Sequence, residues 1–208
     1  MITHHPSDTT LLSYATGTLP EALAIVLATH LTYCPACRQA LADLEAVGGA
    51  LLQEIQPIAL SPELADAAAL DRLLAREPKP APVPPVVNPE LRAPLDRVPL
   101  GERWWPIGIG VRWRPLRVTG AAWGGLILAQ PGRSLPRHGH DGLELTCLLS
   151  GSFADGGQAY IAGDLAEPEV DHDHPPIVIG TDPCLCVIAT EGMRLRGFLG
   201  LAQRLVGL

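Results

Sequence analysis

Between residues 78 and 94 the chain carries seven prolines in 17 positions. Each proline fixes its own φ, removes a backbone donor and biases the residue before it toward extended geometry. No helix or central strand survives that density, so the stretch reads as an extended, semi-rigid spacer. It divides the 208 residues into two parts of different pattern, residues 1–77 and 95–208.

The first part has helical signals. Ser7 and Asp8 can cap a short helix through Tyr14, which Gly17 ends. Pro20 and Glu21 open a second helix, with Leu23, Val26, Leu27, His30 and Leu31 along it. Pro35 starts a third, carrying Leu41, Leu44, Val47 and Leu51, weakened by about 1 kcal/mol at each of Gly48 and Gly49 relative to alanine. Ser61, Pro62 and Glu63 open a fourth, with Leu64, Ala68, Leu70 and Leu73 on one side. After residue 95 the pattern changes to short apolar runs between glycine and proline turns, at 107–113, 121–128, 143–149 and 184–190. No helical period separates them, so an antiparallel barrel or jelly roll fits best. The fold class is α+β multidomain: a small helical domain at 1–77, a linker at 78–94, and an all-β domain at 95–208. The proline spacer implies few contacts between the halves, each acting as a unit.

Apolar residues make up 47 % of the chain, enough for a real core, while the net charge is −7. An acidic chain cannot neutralise phosphates, which argues against direct nucleic-acid binding and suits a protein partner with basic patches. Residues 1–8 lack the apolar stretch of a signal peptide. The longest apolar run, residues 22–28, falls far short of the roughly 20 residues a membrane span needs. The expected location is the cytoplasm, where cysteines serve as ligands or core residues rather than disulfides.

Two constellations carry chemistry. His30, Cys34 and Cys37 form H-x3-C-x2-C. Positions 30 and 34 share a helix face, and Pro35 forces a break there, so these ligands meet at a helix junction. Structural zinc is tetrahedral and closed and needs a fourth donor, which His4 or His5 could supply. The rival is a redox dithiol, which would need a βαβ setting that this helical segment lacks. The second constellation is His138, His140 and Glu144, an H-x-H-x3-E pattern with Gly132 six residues before and Gly151 seven after. Alternate strand residues point the same way, and two imidazoles with a carboxylate suit a first-row divalent metal. His172 and His174 are candidates for a fourth ligand. The seven histidines of the chain all fall at or beside one of these two groups.

The first constellation lies within HHPSDTTLLSYATGTLPEALAIVLATHLTYCPACR, which resembles the zinc anti-sigma domain, in particular that of the ChrR anti-sigma factors. The resemblance continues through ALADLEAVGGALLQEI and reaches EGMRLRGFLG near the C-terminus. The second constellation is similar to the cupin motifs, with Gly163-Asp164 at the second motif, although the usual second glycine there is missing. The resemblance implies zinc on His5, His30, Cys34 and Cys37. It implies a cupin metal, zinc or another divalent ion such as manganese, on His138, His140, Glu144 and His174. His174 is favoured because Pro176 and Cys184 follow it at the family's spacing, whereas gapless alignment selects His172. It further implies a helical domain that wraps an extracytoplasmic-function (group IV) sigma factor and blocks its access to core RNA polymerase. The cupin would then be needed for release under oxidative stress, from singlet oxygen or organic peroxide, with no catalysis. The rival function is a metal-dependent cupin enzyme of dioxygenase type, with the helices as an oligomerisation module.

The remaining features have plainer roles. Cys147, Cys184 and Cys186 read as buried core thiols. Trp104, Trp105, Trp113 and Trp123 read as anchors of a sheet edge, and the acidic run 167–173 as a solvated loop.

Overall fold

The computed structural model describes residues 1–59, 61, 68, 71–72, 75, 95, 98–135, 138–169 and 175–195. Three helices come first: α1 (Asp8–Ala15), α2 (Glu21–Tyr33) and α3 (Pro35–Glu54). Ser7 caps α1, its hydroxyl accepting from the Thr10 N–H, and Gly17 turns the chain away at φ 70°. Cys34 is extended and serves both as the last cap of α2 and the first of α3, with Pro35 opening the new helix. The third helix runs unbroken through Gly48 and Gly49. The expected fourth helix and the proline spacer lie almost wholly outside the described residues.

Eleven strands follow among the described residues: β1 (Trp105–Gly108), β2 (Val111–Pro115), β3 (Trp123–Ala129), β4 (His138–His140), β5 (Glu144–Ser150), β6 (Ser152–Asp155), β7 (Gln158–Ile161), β8 (Leu165–Ala166), β9 (Ile177–Val178), β10 (Cys184–Thr190) and β11 (Met193–Leu195). The main sheet has the order β1-β2-β3-β10-β5-β8, opposed by a three-stranded sheet β7-β6-β9 and a pair β11-β4. Every pairing is antiparallel. The run 107–113, read as one strand, is instead a hairpin: Gly110 at φ 74° reverses the chain between β1 and β2. Trp113 and Trp123 meet edge to face at 5.6 Å. Gly125 lies beneath Trp113, where a Cβ would come within 2.4 Å of the indole.

The main sheet is covered on both faces. Ile127, Ala129, Leu148, Cys184, Cys186 and Ile188 face the barrel interior with Phe153 and Val178. Leu126, Leu145, Cys147, Leu165, Val187 and Ala189 face the other way and form one core with Leu23, Val26, Leu27 and Leu31 of α2. The three cysteines outside the helical motif are thus buried core residues, free as thiols. Two-sided burial explains why β10 reads as an unbroken apolar run rather than an alternation.

This shared core corrects the expectation of few contacts between the halves. Ala22, Leu23, Val26 and Leu27 are completely buried. A three-helix unit is too small to cover them itself, and a helix apolar on most of its faces must be buried somewhere. Covering each leucine contributes about 1.5–3 kcal/mol. Polar contacts reinforce the junction: the backbone N–H and hydroxyl of Thr119 both donate to the Glu21 carboxylate, at 2.8 and 2.6 Å.

Candidate metal centre and its surroundings

The break between α2 and α3 gathers the first constellation. His30 sits in the last turn of α2 and is completely buried. Cys34 follows at the junction, its N–H donating to the His30 carbonyl at 3.0 Å and its Sγ accepting from the Cys37 N–H at 3.4 Å. The N-terminal arm crosses this junction and brings in His5. Its Nδ1 lies 3.4 Å from Cys34 Sγ and 3.3 Å from Cys37 Sγ, and His30 Nε2 lies 3.2 Å from Cys37 Sγ. One donor atom from each of the four residues falls within 4.8 Å of every other.

The three shortest separations are close to those of a tetrahedral zinc site, where bonds of about 2.0–2.3 Å place donors roughly 3.3–3.8 Å apart. The donor set, two imidazoles and two thiols, is one that zinc favours. Protonation agrees. Burial lowers the pKa of His30, keeping the ring neutral. The Gly163 carbonyl, 2.8 Å from Nδ1, can only accept, so the proton sits on Nδ1 and Nε2 offers its lone pair to the cluster. Burial, with the Cys34 thiol beside it, pushes Cys37 up to about 12. The Cys37 thiol therefore holds its proton until a cation displaces it.

Of the two candidate N-terminal histidines, His5 joins the cluster and His4 points away from it, against the barrel. The His4 ring packs on Tyr160 at 4.2 Å and contacts Gln158 and Asp164 at 3.0 and 3.3 Å. The completely buried Asp164 carboxylate accepts from the backbone N–H groups of Thr3 at 2.9 Å, His4 at 3.2 Å and Ile161 at 2.9 Å. Burial raises its pKa, but these donors outweigh burial and hold it below its ordinary value of 3.8. Glu167 accepts from the Ser7 N–H, the Ser7 hydroxyl and the Thr10 hydroxyl, each at 2.8 Å. Glu167, read from the sequence as part of a solvated loop, is therefore a clamp on the start of α1. Neither hold on the N-terminal arm has a local signal, because the arm residues lie about 160 positions away in the chain.

The second constellation is built on the first residues of two strands. His138 opens β4 and Glu144 opens β5; both are nearly buried, with Nε2 and Oε1 3.8 Å apart. A buried imidazole and carboxylate at this distance fit two ligands of one divalent ion. The His140 backbone lies in β4 opposite Met193 of β11. Its side chain, together with His172 and His174, lies outside the described residues. No helix among the described residues is long and apolar enough to cross a membrane.

Comparison with known proteins agrees with both parts of the architecture. Residues 100–194 match the ChrR cupin-like domain family. The anti-sigma-E factor ChrR of Cereibacter sphaeroides is 40 % identical over 205 residues, spanning 95 % of this chain and 94 % of that protein. The crystal structure of Rhodobacter sphaeroides SigE in complex with the anti-sigma ChrR superposes with a TM-score of 0.75 at 37 % identity, over 91 % of this chain and 99 % of the matched one. With a helical His/Cys cluster, a cupin-like barrel and a relative aligned along nearly its whole length, the chain belongs to the ChrR family of anti-sigma factors.

Proposed function

We propose that this protein sequesters an extracytoplasmic-function (group IV) sigma factor in the cytoplasm and releases it under oxidative stress, such as singlet oxygen or organic peroxide. The observation that carries the first half is the far end of α3. Beyond Leu44 this helix is exposed on every side, yet Val47, Leu51 and Leu52 stand on it, followed by Ile55 and Ile58. An apolar arm that leaves its own core fits a protein partner. The relative's complex with SigE supports a sigma factor as that partner, and the net charge of −7 suits a basic one. Sigma binding is assigned to residues 1–77, spacing to 78–94, and release to the cupin at 95–208.

His5, His30, Cys34 and Cys37 hold zinc in this reading. Bound there, zinc is a closed structural ion that fixes the angle between α2 and α3. His138, His140, Glu144 and His174 hold a second ion, zinc or manganese, in the cupin. Its role is in signal response, and no catalytic turnover is proposed.

Reconstituted transcription with the cognate sigma factor tests this. The full chain should silence a sigma-dependent promoter, and the double variant Cys34→Ser/Cys37→Ser should lose both zinc and inhibition. Silencing by the metal-free double variant would defeat the zinc assignment. Failure of the wild-type chain to bind the sigma factor would defeat the function itself.

A further inference from the structure

The four donors of the helical cluster are not held alike. Cys34 and Cys37 are fixed by the helix junction they belong to. The two histidines are fixed by the barrel. His30 is oriented by the Gly163 carbonyl. The backbone just before His5 is gripped by Asp164, through the N–H groups of Thr3 and His4, and the Leu165 N–H donates back to the His4 carbonyl at 3.2 Å. The backbone just after His5 is gripped by Glu167 through Ser7 and Thr10. Residues 163–167, the turn into β8 and the strand itself, thus bracket His5 on both sides and support His30 from behind. The fit is tight: Gly163 has φ 94°, and a Cβ there would lie 3.0 Å from Ile2 and from Tyr33.

We propose that residues 163–167 are the supporting frame of the helical metal centre, with Asp164 and Glu167 as positioning residues, so that the metal affinity of this centre is set jointly by the helices and the barrel. The inference rests on the zinc assignment made above. Groups that orient metal-bound histidines and their backbone normally govern affinity by about 10–100-fold. Here those groups come from the opposite half of the chain. The consequence runs both ways. Displacing β8 loosens the ion, and losing the ion frees the arm that β8 holds. Since β8 pairs with β5 through Thr146 and Cys147, the frame is one strand away from the strand that Glu144 opens.

The test uses the full chain loaded with cobalt(II). Thiolate-to-cobalt charge-transfer absorption reports the helical cluster alone, because the cupin donors are nitrogen and oxygen. Chelator competition then gives the affinity of that site for wild type, Asp164→Asn, Glu167→Gln and a control, Glu21→Gln. The control removes a contact between the halves at the far end of α2. Asp164→Asn and Glu167→Gln should each weaken cobalt binding by about 10-fold or more and shift the ligand-field bands, with the control unchanged. Glu167 is only half-buried, so its variant folds even where the buried Asp164 variant does not. Wild-type affinity in folded Glu167→Gln and Asp164→Asn would overturn the inference. An equal loss in Glu21→Gln would overturn it too, since that would reflect general loosening of the interface. A wild-type chain with no thiolate band would overturn the zinc assignment beneath it.

Discussion

Two helices joined at a single residue, α2 and α3, meet opposite fates. α2 is 13 residues long, with Ala22, Leu23, Val26 and Leu27 sealed between the helical layer and the main sheet. α3 is 20 residues long, and Cys37 is its buried residue. Apolar residues stand on both, since α3 also carries Val47, Leu51 and Leu52, with Ile55 just past its end. Their surroundings separate them. α2 lies against β5 and β10, whereas the second half of α3 extends past the edge of the core. The first helix binds the two halves of the chain together, and the second presents apolar surface to something outside it.

The largest expected effect breaks this contrast at α2. Leu27→Ala should cost about 2–5 kcal/mol. Because Leu27 shares its core with Leu145 and Val187, melting followed by helical and aromatic signals should shift together. A shift confined to the helices would mean that the two parts are independent after all. On α3, Leu51→Asp should change stability by less than about 0.5 kcal/mol while weakening sigma binding by at least about tenfold, the equivalent of ~1.4 kcal/mol. Titration of the sigma factor against wild type and variant checks both halves of this statement, and a destabilised variant would show that α3 has a hidden packing role.

The smallest effect sharpens the comparison at the start of α2. The Thr119 hydroxyl and N–H hold the Glu21 carboxyl below its ordinary value of 4.5. A lowered carboxylate contributes stability above its unfolded pKa, and that contribution fades as the pH falls through the folded value. Glu21→Gln should therefore narrow its stability difference from wild type as pH drops below about 4.5. A difference that stays constant in melting curves from pH 7 to pH 3 would mean that Glu21 contributes nothing through its charge. The carboxylate is exposed, so the whole effect is small.

Much of this was legible from residue order alone. Ser7, Gly17, Pro20 and Pro35 are local punctuation: α1 lies between the first two, and α2 and α3 begin at the others. β3, β5 and β10 are seven residues long and largely apolar, and were visible for the same reason. Strands of two to four residues, such as β8 and β9, carry too little pattern to be seen; their pairing partners create them. The His30, Cys34 and Cys37 spacing announced the helical cluster because all three lie within one helix junction. His5 could not be separated from His4 by spacing, and it was resemblance that favoured it. The contacts of Asp164 and Glu167 were invisible because they join residues about 160 positions apart. The junction of the two halves left one clue that the proline spacer obscured, namely that α2 has apolar residues on nearly every face.

The order in which the chain is made bears on α2. Its last residue, Tyr33, precedes Cys184, the first residue of β10, by about 150 residues. At roughly 5–20 residues per second of synthesis, the sheet that covers Leu23 and Leu27 arrives about 8–30 s after the helix has left the ribosome. During that interval the most apolar of the described helices has no lasting cover from its own chain. Its docking is a late, non-local event, so folding of the helical half waits on completion of the barrel.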